Sequence, residues 1–342
     1  MNDKAFGLDI GSTSLKAIWL SQEKDTYFLR AAASIPTPSK GMLSDAPVDQ
    51  ETMAKAIRTL VQEAKITSKL VNVSLSENRV YTKVIEMPVL SDKELTSAIY
   101  WEAEQSIPVP LNEITFDYTV LKRPKNVEEG ANMHVLMVGA PTQIIDKYNK
   151  ILALSGLTVV SVETELLATI RALSGINFPT SIIVSIGASG TSLAIVKEGI
   201  VVFTYFVPIG GVAMTRAIAS DFGFEISQAE QYKQTYGYSS HEFEGKIGKS
   251  ILPILNSILT EVKKAISFYA EKYQHDTPIT QIILSGGSSK LPGIDSFFAN
   301  NCGIETITGN PWKVVGSQQI PKEMLQNGPE YTVAIGLAMK MK

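Results

Sequence analysis

Apolar positions along this chain fall into short runs broken by compact polar turns. The run 5–8 leads into Asp9-Ile10-Gly11-Ser12-Thr13-Ser14, and a second run, 15–20, leaves it. Two apolar runs around a turn rich in small polar residues predict a β-hairpin. The same figure returns about half a chain later. Ser185-Ile186-Gly187-Ala188-Ser189-Gly190-Thr191-Ser192 lies between the apolar runs 182–184 and 193–196. A hairpin repeated at that spacing predicts two similar halves facing each other across a cleft. A third signal is the buried-strand run 282–284, which enters Ser285-Gly286-Gly287-Ser288-Ser289-Lys290 and then a helix from about Pro292.

Between these landmarks the pattern alternates strands and helices, which is an α/β arrangement. A strand near 27–33, a helix near 50–64 and a strand at 71–75 complete a first domain over 1–85, rejoined at 156–180 by a strand at 158–162 and a helix beginning near Glu165. Residues 86–155 read as an insert subdomain. Ser91-Asp92-Lys93-Glu94 is a capping box that opens a helix through Leu95, Ile99, Trp101 and Glu104, ending before Pro108. A strand at 114–121, a polar turn at 122–131, a strand at 134–140 and a helix at 141–154 follow. Residues 181–226 and 274–342 form a second domain, and 227–273 a helical subdomain with a long amphipathic stretch from Lys246 to Tyr273. Tyr100, Trp101 and Ile107 are candidate exposed partner contacts, but their helical spacing favours the core.

Composition narrows the class. With 342 residues, 44% hydrophobic and 19% charged, the chain can bury sizeable cores. A net charge of −3 gives no basis for nucleic-acid binding. The three histidines, His134, His241 and His275, have no metal-ligand spacing. The single cysteine, Cys302, follows Asn300-Asn301, is expected to end a loop, and reads as a small structural residue. It excludes an internal disulfide and fits a reducing compartment. No apolar run approaches the length of about 18 residues that spans a membrane. The start, Met1-Asn2-Asp3-Lys4, lacks the apolar core of a signal peptide. A cytoplasmic protein is expected.

The first turn carries chemistry suited to a phosphate chain. Gly11 lets backbone approach closely, and the N–H groups and hydroxyls of Ser12 and Thr13 can face phosphate oxygens. Asp9 can hold a metal ion through water, and Lys16 can aim its charge at the phosphates. Gly187, Ala188 and Ser189 repeat the loop. The turn at Gly286 and Gly287 lets a flat ring lie against bare backbone. In this order the three motifs resemble the phosphate 1, phosphate 2 and adenosine motifs of the actin-like ATPase superfamily, to which actin, heat-shock chaperone ATPases, sugar kinases and FtsA belong. The resemblance implies an actin-like ATPase fold, two similar domains around a nucleotide cleft, with ATP or ADP and Mg2+ as cofactors. An α/β insert at this point of the chain is the arrangement of FtsA and of the type IV pilus assembly protein PilM family.

The chain is similar to the PilM family over essentially its whole length. The resemblance rests on Trp101-Glu102-Ala103-Glu104-Gln105-Ser106-Ile107-Pro108-Val109-Pro110, on Phe116-Asp117-Tyr118, and on Glu163-Thr164-Glu165-Leu166-Leu167-Ala168-Thr169-Ile170-Arg171. It continues through Phe203-Thr204, Pro208-Ile209-Gly210-Gly211, Ala229-Glu230-Gln231-Tyr232-Lys233, Tyr236-Gly237, Asn310-Pro311-Trp312 and Ala334-Ile335-Gly336-Leu337-Ala338. It implies that Glu230 and Lys233 contact ribose or adenine, that Gly210 and Gly211 lie against the phosphates, and that Ser288 and Leu291 flank the base. Structural alternatives stay open: Ser227-Gln228-Ala229-Glu230 is also a capping box, Gly210-Gly211 also an ordinary turn, and Ser288 and Leu291 also cap and packing residues. Ser185 stands where the family usually has an aspartate matching Asp9. That departure implies weaker metal binding and impaired hydrolysis, leaving Asp9 and Glu165 as the candidate catalytic acids, with Glu165 to orient water.

By this resemblance the expected function is an ATP-binding cytoplasmic platform of a type IV pilus, or of a related secretion or DNA-uptake complex. Its implied partner is the N-terminal cytoplasmic segment of a PilN-like single-pass inner-membrane protein, docked between the first domain and the insert. Pilus motor ATPases are a further partner class, and self-association stays open. The chain stops at Lys342 without the C-terminal amphipathic helix of FtsA, so attachment at the inner face of the cytoplasmic membrane is expected through protein partners. Two alternatives remain. One is a catalytic ATPase or small-molecule kinase, for which no aspartate base above a substrate pocket stands out. The other is a filament-forming division protein like FtsA.

Overall fold

Three sheets organise the chain in the computed structural model, which describes residues 4–24, 26–124, 132–175, 178–238, 242–316 and 320–340. The first half contains β1 (Phe6–Ile10), β2 (Ser14–Glu23), β3 (Thr26–Pro36), α1 (Pro47–Glu63) and β4 (Leu70–Leu75). The chain continues through β5 (Tyr81–Pro88), α2 (Asp92–Ser106), β6 (Ile114–Lys122), β7 (Asn132–Pro141), α3 (Thr142–Leu154), β8 (Thr158–Thr164) and α4 (Glu165–Leu173). The second half contains β9 (Ser181–Ile186), β10 (Thr191–Lys197), β11 (Ile200–Val207), α5 (Gly211–Phe222), α6 (Ile226–Tyr236), α7 (Lys246–Lys272), β12 (Gln281–Ser285), α8 (Ile294–Cys302), β13 (Glu305–Thr308), α9 (Lys322–Gln326) and α10 (Thr332–Ala338).

The two large sheets repeat one topology. Their strand orders are β3-β2-β1-β4-β8 and β11-β10-β9-β12-β13. Each begins with an antiparallel meander and adds two parallel strands. The central parallel strands of the second sheet, β9 and β12, are near-continuous apolar runs because both their faces are covered. In the second half Ile182, Val184 and Ile186 of β9 face α5 and α7, while Ile183 joins a separate cluster with α4.

The insert is a three-stranded antiparallel sheet, β5-β7-β6. Its strands alternate faces, as the pleat requires. Ile85, Met133, Val135 and Met137 pack under Leu95, Ile99 and Ala103 of α2. Leu136, with Val84, Leu121 and Val138, packs on Ala194, Val196 and Val201 of the second half. The capping box that opens α2 is formed in both directions: Ser91 N–H donates to Glu94 Oε2 at 2.9 Å, and Glu94 N–H donates to Ser91 Oγ at 3.4 Å.

Several elements pack differently from the reading of the sequence. Strand β5 belongs to the insert sheet, whereas α3 buries Tyr148, Ile151 and Leu152 against Ala54, Ile57 and Leu60 of α1. The insert sheet and its helix thus occupy Tyr81 to Pro141, not 86–155. The segment from Trp312 onward covers the first sheet instead of the second: Trp312, Tyr331, Ala334 and Ile335 cluster with Ile18 and Leu20. This contact needs glycine, because a Cβ on Gly7 would lie 2.2 Å from Ala334 O and one on Gly336 would lie 1.9 Å from Ala168 O. Asn72 Nδ2 fixes the end of α10 through Leu337 O at 3.0 Å and Lys340 O at 2.8 Å.

At residue level, Trp101 and Tyr100 are 61% and 49% exposed, not core, while Ile107 is buried. Cys302 ends α8, not a loop, and burial pushes its thiol up. Helix α6 begins at Ile226 after an N-cap Glu225 with no side-chain cap, so Ser227 and Glu230 form no capping box. Most of the polar turn at 122–131, and His241, lie outside the described residues. Among the described residues, no helix is long and apolar enough to cross a membrane.

Candidate functional site

The two repeated hairpin loops meet where the two halves face each other. Ser12 Oγ lies 3.3 Å from Ser189 Oγ. Each loop closes on itself in the same way: Gly11 N–H donates to Ser14 O at 3.1 Å, and Gly187 N–H donates to Gly190 O at 2.9 Å. A Cβ on Gly11 would sit 2.8 Å from Ser14 O, so this turn excludes a side chain. Ser12, Thr13 and Ser189 are exposed at the loop tips. Thr37 Oγ1 donates to Gly11 O at 2.7 Å and braces the first loop from β3.

Charge is concentrated on the first-half wall. Asp9 and Lys16 face each other in the β1–β2 register, with Lys16 Nζ 3.7 Å from Asp9 Oδ2 and 2.7 Å from Ser14 Oγ. Both side chains are buried. The matching register pair in the second half is Ser185 and Ser192, which are uncharged. Loss of hydration pushes the Asp9 carboxyl above its usual range, with Lys16 opposing. Glu165, at the first turn of α4, is pushed up to about 8, first by loss of hydration and then by Asp9 and Glu77. Glu77 was not singled out from sequence. It is buried, accepts from Leu166 N–H at 3.0 Å, and is itself raised by burial. Nothing local marks it, since its partner at the α4 N-terminus is remote in sequence.

Three carboxylates with one lysine form an environment that a cation would relieve. Among the described residues, however, no group of three or more His, Cys, Asp or Glu side chains has metal-ligand geometry. Asp9 is the carboxyl group nearest the first loop, and the described residues supply no direct ligand shell for a metal ion around it.

The opposite wall gathers the remaining candidates. Lys233 Nζ donates to Gly211 O at 3.0 Å, Thr215 Oγ1 at 2.9 Å and Glu230 Oε2 at 2.7 Å. Glu230 also accepts from Thr215 Oγ1 at 2.5 Å, and its carboxyl lies below its usual range because these hydrogen bonds outweigh its partial burial. A Cβ on Gly211 would meet Ser288 Oγ at 2.5 Å and Lys233 Nζ at 3.3 Å, so the double-glycine turn, the glutamate–lysine pair and the third motif touch one another. Gly211 N–H and Val212 N–H donate to Gly187 O and Ala188 O, each at 2.9 Å, which ties the start of α5 to the second loop. A Cβ on Gly210 would lie 2.5 Å from Gly187 O, so this turn needs glycine for packing alone.

The third motif divides by role. Gly286 has φ +79°, and a Cβ there would meet Ile186 O at 2.5 Å. Gly287 is exposed, and a Cβ there would make only an ordinary contact, 3.8 Å from Glu330 Cγ. Ser288 is buried beside Gly211, and Leu291 lies in the second-half core. Glu330, paired with Lys290, is a wall residue that the sequence pattern did not reveal.

Comparison with known proteins adds an independent line. A family model described as type IV pilus assembly protein PilM matches residues 7–342. A chain of a solved PilM–PilN type IV pilus biogenesis complex superposes with a TM-score of 0.84 at 29% identity, covering 98% of both chains. The cell division protein FtsA of Streptococcus pneumoniae serotype 2 is 23% identical over 327 residues, 84% of this chain and 71% of that protein. MreB5 of Spiroplasma citri, solved with AMPPNP, shares the fold at a TM-score of 0.55 and 13% identity, over 98% of this chain and 95% of that one. With its two repeated sheets, the fold is that of the actin-like ATPases.

Proposed function

Because the chain belongs to the type IV pilus assembly protein PilM family, we propose that it is a nucleotide-binding platform of a pilus, secretion or DNA-uptake complex at the inner membrane. In this reading ATP or ADP lies in the cleft with Mg2+. The carrying observation is the near-complete superposition on a chain of a PilM–PilN complex. The loop N–H groups and hydroxyls at Ser12, Thr13, Ala188 and Ser189 hold the phosphates, Gly11 and Gly187 keep the turns tight enough for close backbone approach, and Lys16 supplies positive charge. Gly287 offers bare backbone to the adenine, with Ser288 and Leu291 behind it, and Glu230 and Lys233 reach the ribose side. Gly210, Gly211 and Gly286 shape the walls. Asp9 orients the aqua metal ion. Glu165 holds a proton at neutral pH and can accept a water's proton only once that proton has left. With Ser185 and Ser192 on the facing wall, turnover is slow and binding is the main activity.

The partner in this reading is the N-terminal cytoplasmic segment of a PilN-like inner-membrane protein, held between the first half and the insert. Strand β6 suits this role. It is an edge strand, and its Thr115, Asp117 and Thr119 are exposed on the sheet face that elsewhere packs on the second half. An extended peptide can add backbone hydrogen bonds along such an edge.

Calorimetry with Mg-ATP, and with a synthetic peptide copying the N-terminus of the cognate PilN-like protein, tests both sites. Lys16→Ala is expected to weaken nucleotide at least about tenfold, the scale of a lost charge-assisted contact, and Asp117→Arg to weaken the peptide. Ser185→Asp is expected to strengthen the Mg2+ dependence of nucleotide binding. Rapid phosphate release by the wild-type chain, or no affinity for the peptide, would reject this reading.

A further inference from the structure

The insert is joined covalently to the first half, through the segments leading into β5 and out of β7. Its inner face nevertheless rests on the second half. Val84, Leu121, Leu136 and Val138 meet Ala194, Val196 and Val201, with Leu166 and Ile170 of α4 at the junction. The insert therefore straddles the two halves.

Beside this apolar contact runs a polar one. Glu86, His134 and Lys122 lie in register across β5, β7 and β6. The end of α7 comes down on this row. Tyr273 Oη donates to Glu86 Oε1, and Lys272 Nζ lies 2.8 Å from the same oxygen. Lys197 sits 5.5 Å from the Tyr273 ring centroid and pairs with Asp276, and Lys122 Nζ is 3.2 Å from Glu198 Oε2. His134 Nδ1 is buried there without a hydrogen-bond partner.

Helix α7 runs on past its internal Pro253 to Lys272, and its Leu255, Ile258, Val262, Ala265 and Tyr269 are set in the second-half core. The same core contains Met214 and Ile218 of α5 and Ala229 of α6, the helices that carry Gly211, Thr215, Glu230 and Lys233. One helix, packed in the same core as α5 and α6, thus connects the elements that carry Gly211 and Lys233 to the insert.

We propose that Glu86, Tyr273 and Lys272 form a clasp that makes the insert follow the second half, so that closing the cleft changes the width of the peptide groove between the insert and the first half. This inference rests on the nucleotide and peptide sites proposed above. The physical reason is that the halves cannot separate while the insert keeps both neighbours. Either the clasp and the apolar contact part, which strands a carboxylate that has lost two charge-assisted bonds, or the insert swings away from the first half. Packed interfaces switch between discrete arrangements instead of stretching, so nucleotide and peptide each bias the same switch. The coupling is reciprocal.

The test uses the full chain as wild type, Tyr273→Phe and Glu86→Gln. Without any ligand, hydrogen exchange of the β5 and β7 amides is expected to quicken at least about tenfold in both variants, the ratio that one lost charge-assisted hydrogen bond corresponds to. Peptide affinity is then measured with and without Mg-ATP. In the wild type the two affinities are expected to differ about 5- to 150-fold, and in Tyr273→Phe the ratio is expected to fall towards one while each ligand still binds. Exchange that is unchanged in both variants, or a ratio that Tyr273→Phe leaves as it was, overturns the clasp. A wild-type chain that binds no nucleotide overturns the functional reading instead, and the exchange comparison, which needs no ligand, still decides the clasp.

Discussion

Asp9 and Glu77 both bear electrostatically on the buried Glu165 carboxyl, and this sets how the ligand-free protein responds to pH. Glu165 titrates near 8 in the folded chain, against 4.5 for the free group. The folded state therefore holds the proton more tightly than the unfolded state. Its contribution to stability is fully present below about 4.5, falls as pH rises, and is lost above about 8. Ligand-free protein is accordingly expected to melt lower at pH 9 than at pH 6. Glu165→Gln, which keeps the shape without the charge, is expected to melt about 5 °C above the wild type at pH 9 and to match it at pH 4. Differential scanning calorimetry across that range checks the sign. Equal melting points at pH 9 would show that Glu165 is already ionised at no cost. The sequence singled out Asp9 and Glu165 because each sits at a recognisable motif position. Glu77 was not legible, because its burial depends on Leu166 reaching it from another part of the chain.

At the scale of elements, turn chemistry was the most readable feature. A turn is decided by a few neighbouring residues, and both hairpins formed where Gly11 and Gly187 predicted them. What a helix packs against is not local, and there the reading was weaker. The spacing of Trp101 identified α2 but could not say which of its faces stays open. Likewise α3 and α10 were recognised as segments and placed against the wrong neighbours, because apolar spacing does not name the sheet that receives it. The third motif shows the same limit within adjacent residues. Gly286 and Gly287 look equivalent in sequence, yet one is a packing requirement and the other is open wall. Gly286→Ala is expected to destabilise the chain by about 1–3 kcal/mol through its left-handed backbone. Gly287→Val is expected to shift stability by less than about 0.5 kcal/mol while lowering nucleotide affinity. Thermal melts paired with calorimetry separate the two, and an equal loss of stability in both would refute the division.

For the molecule as a whole, the fact with the widest reach is that α10 seals the first sheet. Gly7 and Gly336 let the backbone of α10 lie against β1 and α4, and Arg171 ties Glu163 to Gly336 O at 2.8 Å. Residues 332–338 are made on the ribosome after the whole second half. The N-terminal sheet, first to emerge, must wait for them with the apolar side chains of Ile18 and Leu20 uncovered. The second half, whose core draws on residues 182–298, needs no such late arrival. Domains that emerge first usually fold first; here the first sheet to emerge is the last to be covered. A chain truncated after residue 309 is therefore expected to lose protease resistance in its N-terminal half before its C-terminal half, as mass spectrometry of limited digests would read directly. Fragments cut first between 181 and 309 would contradict that order. If it holds, the surveillance that cells apply to unfinished proteins falls hardest on the half that was translated earliest.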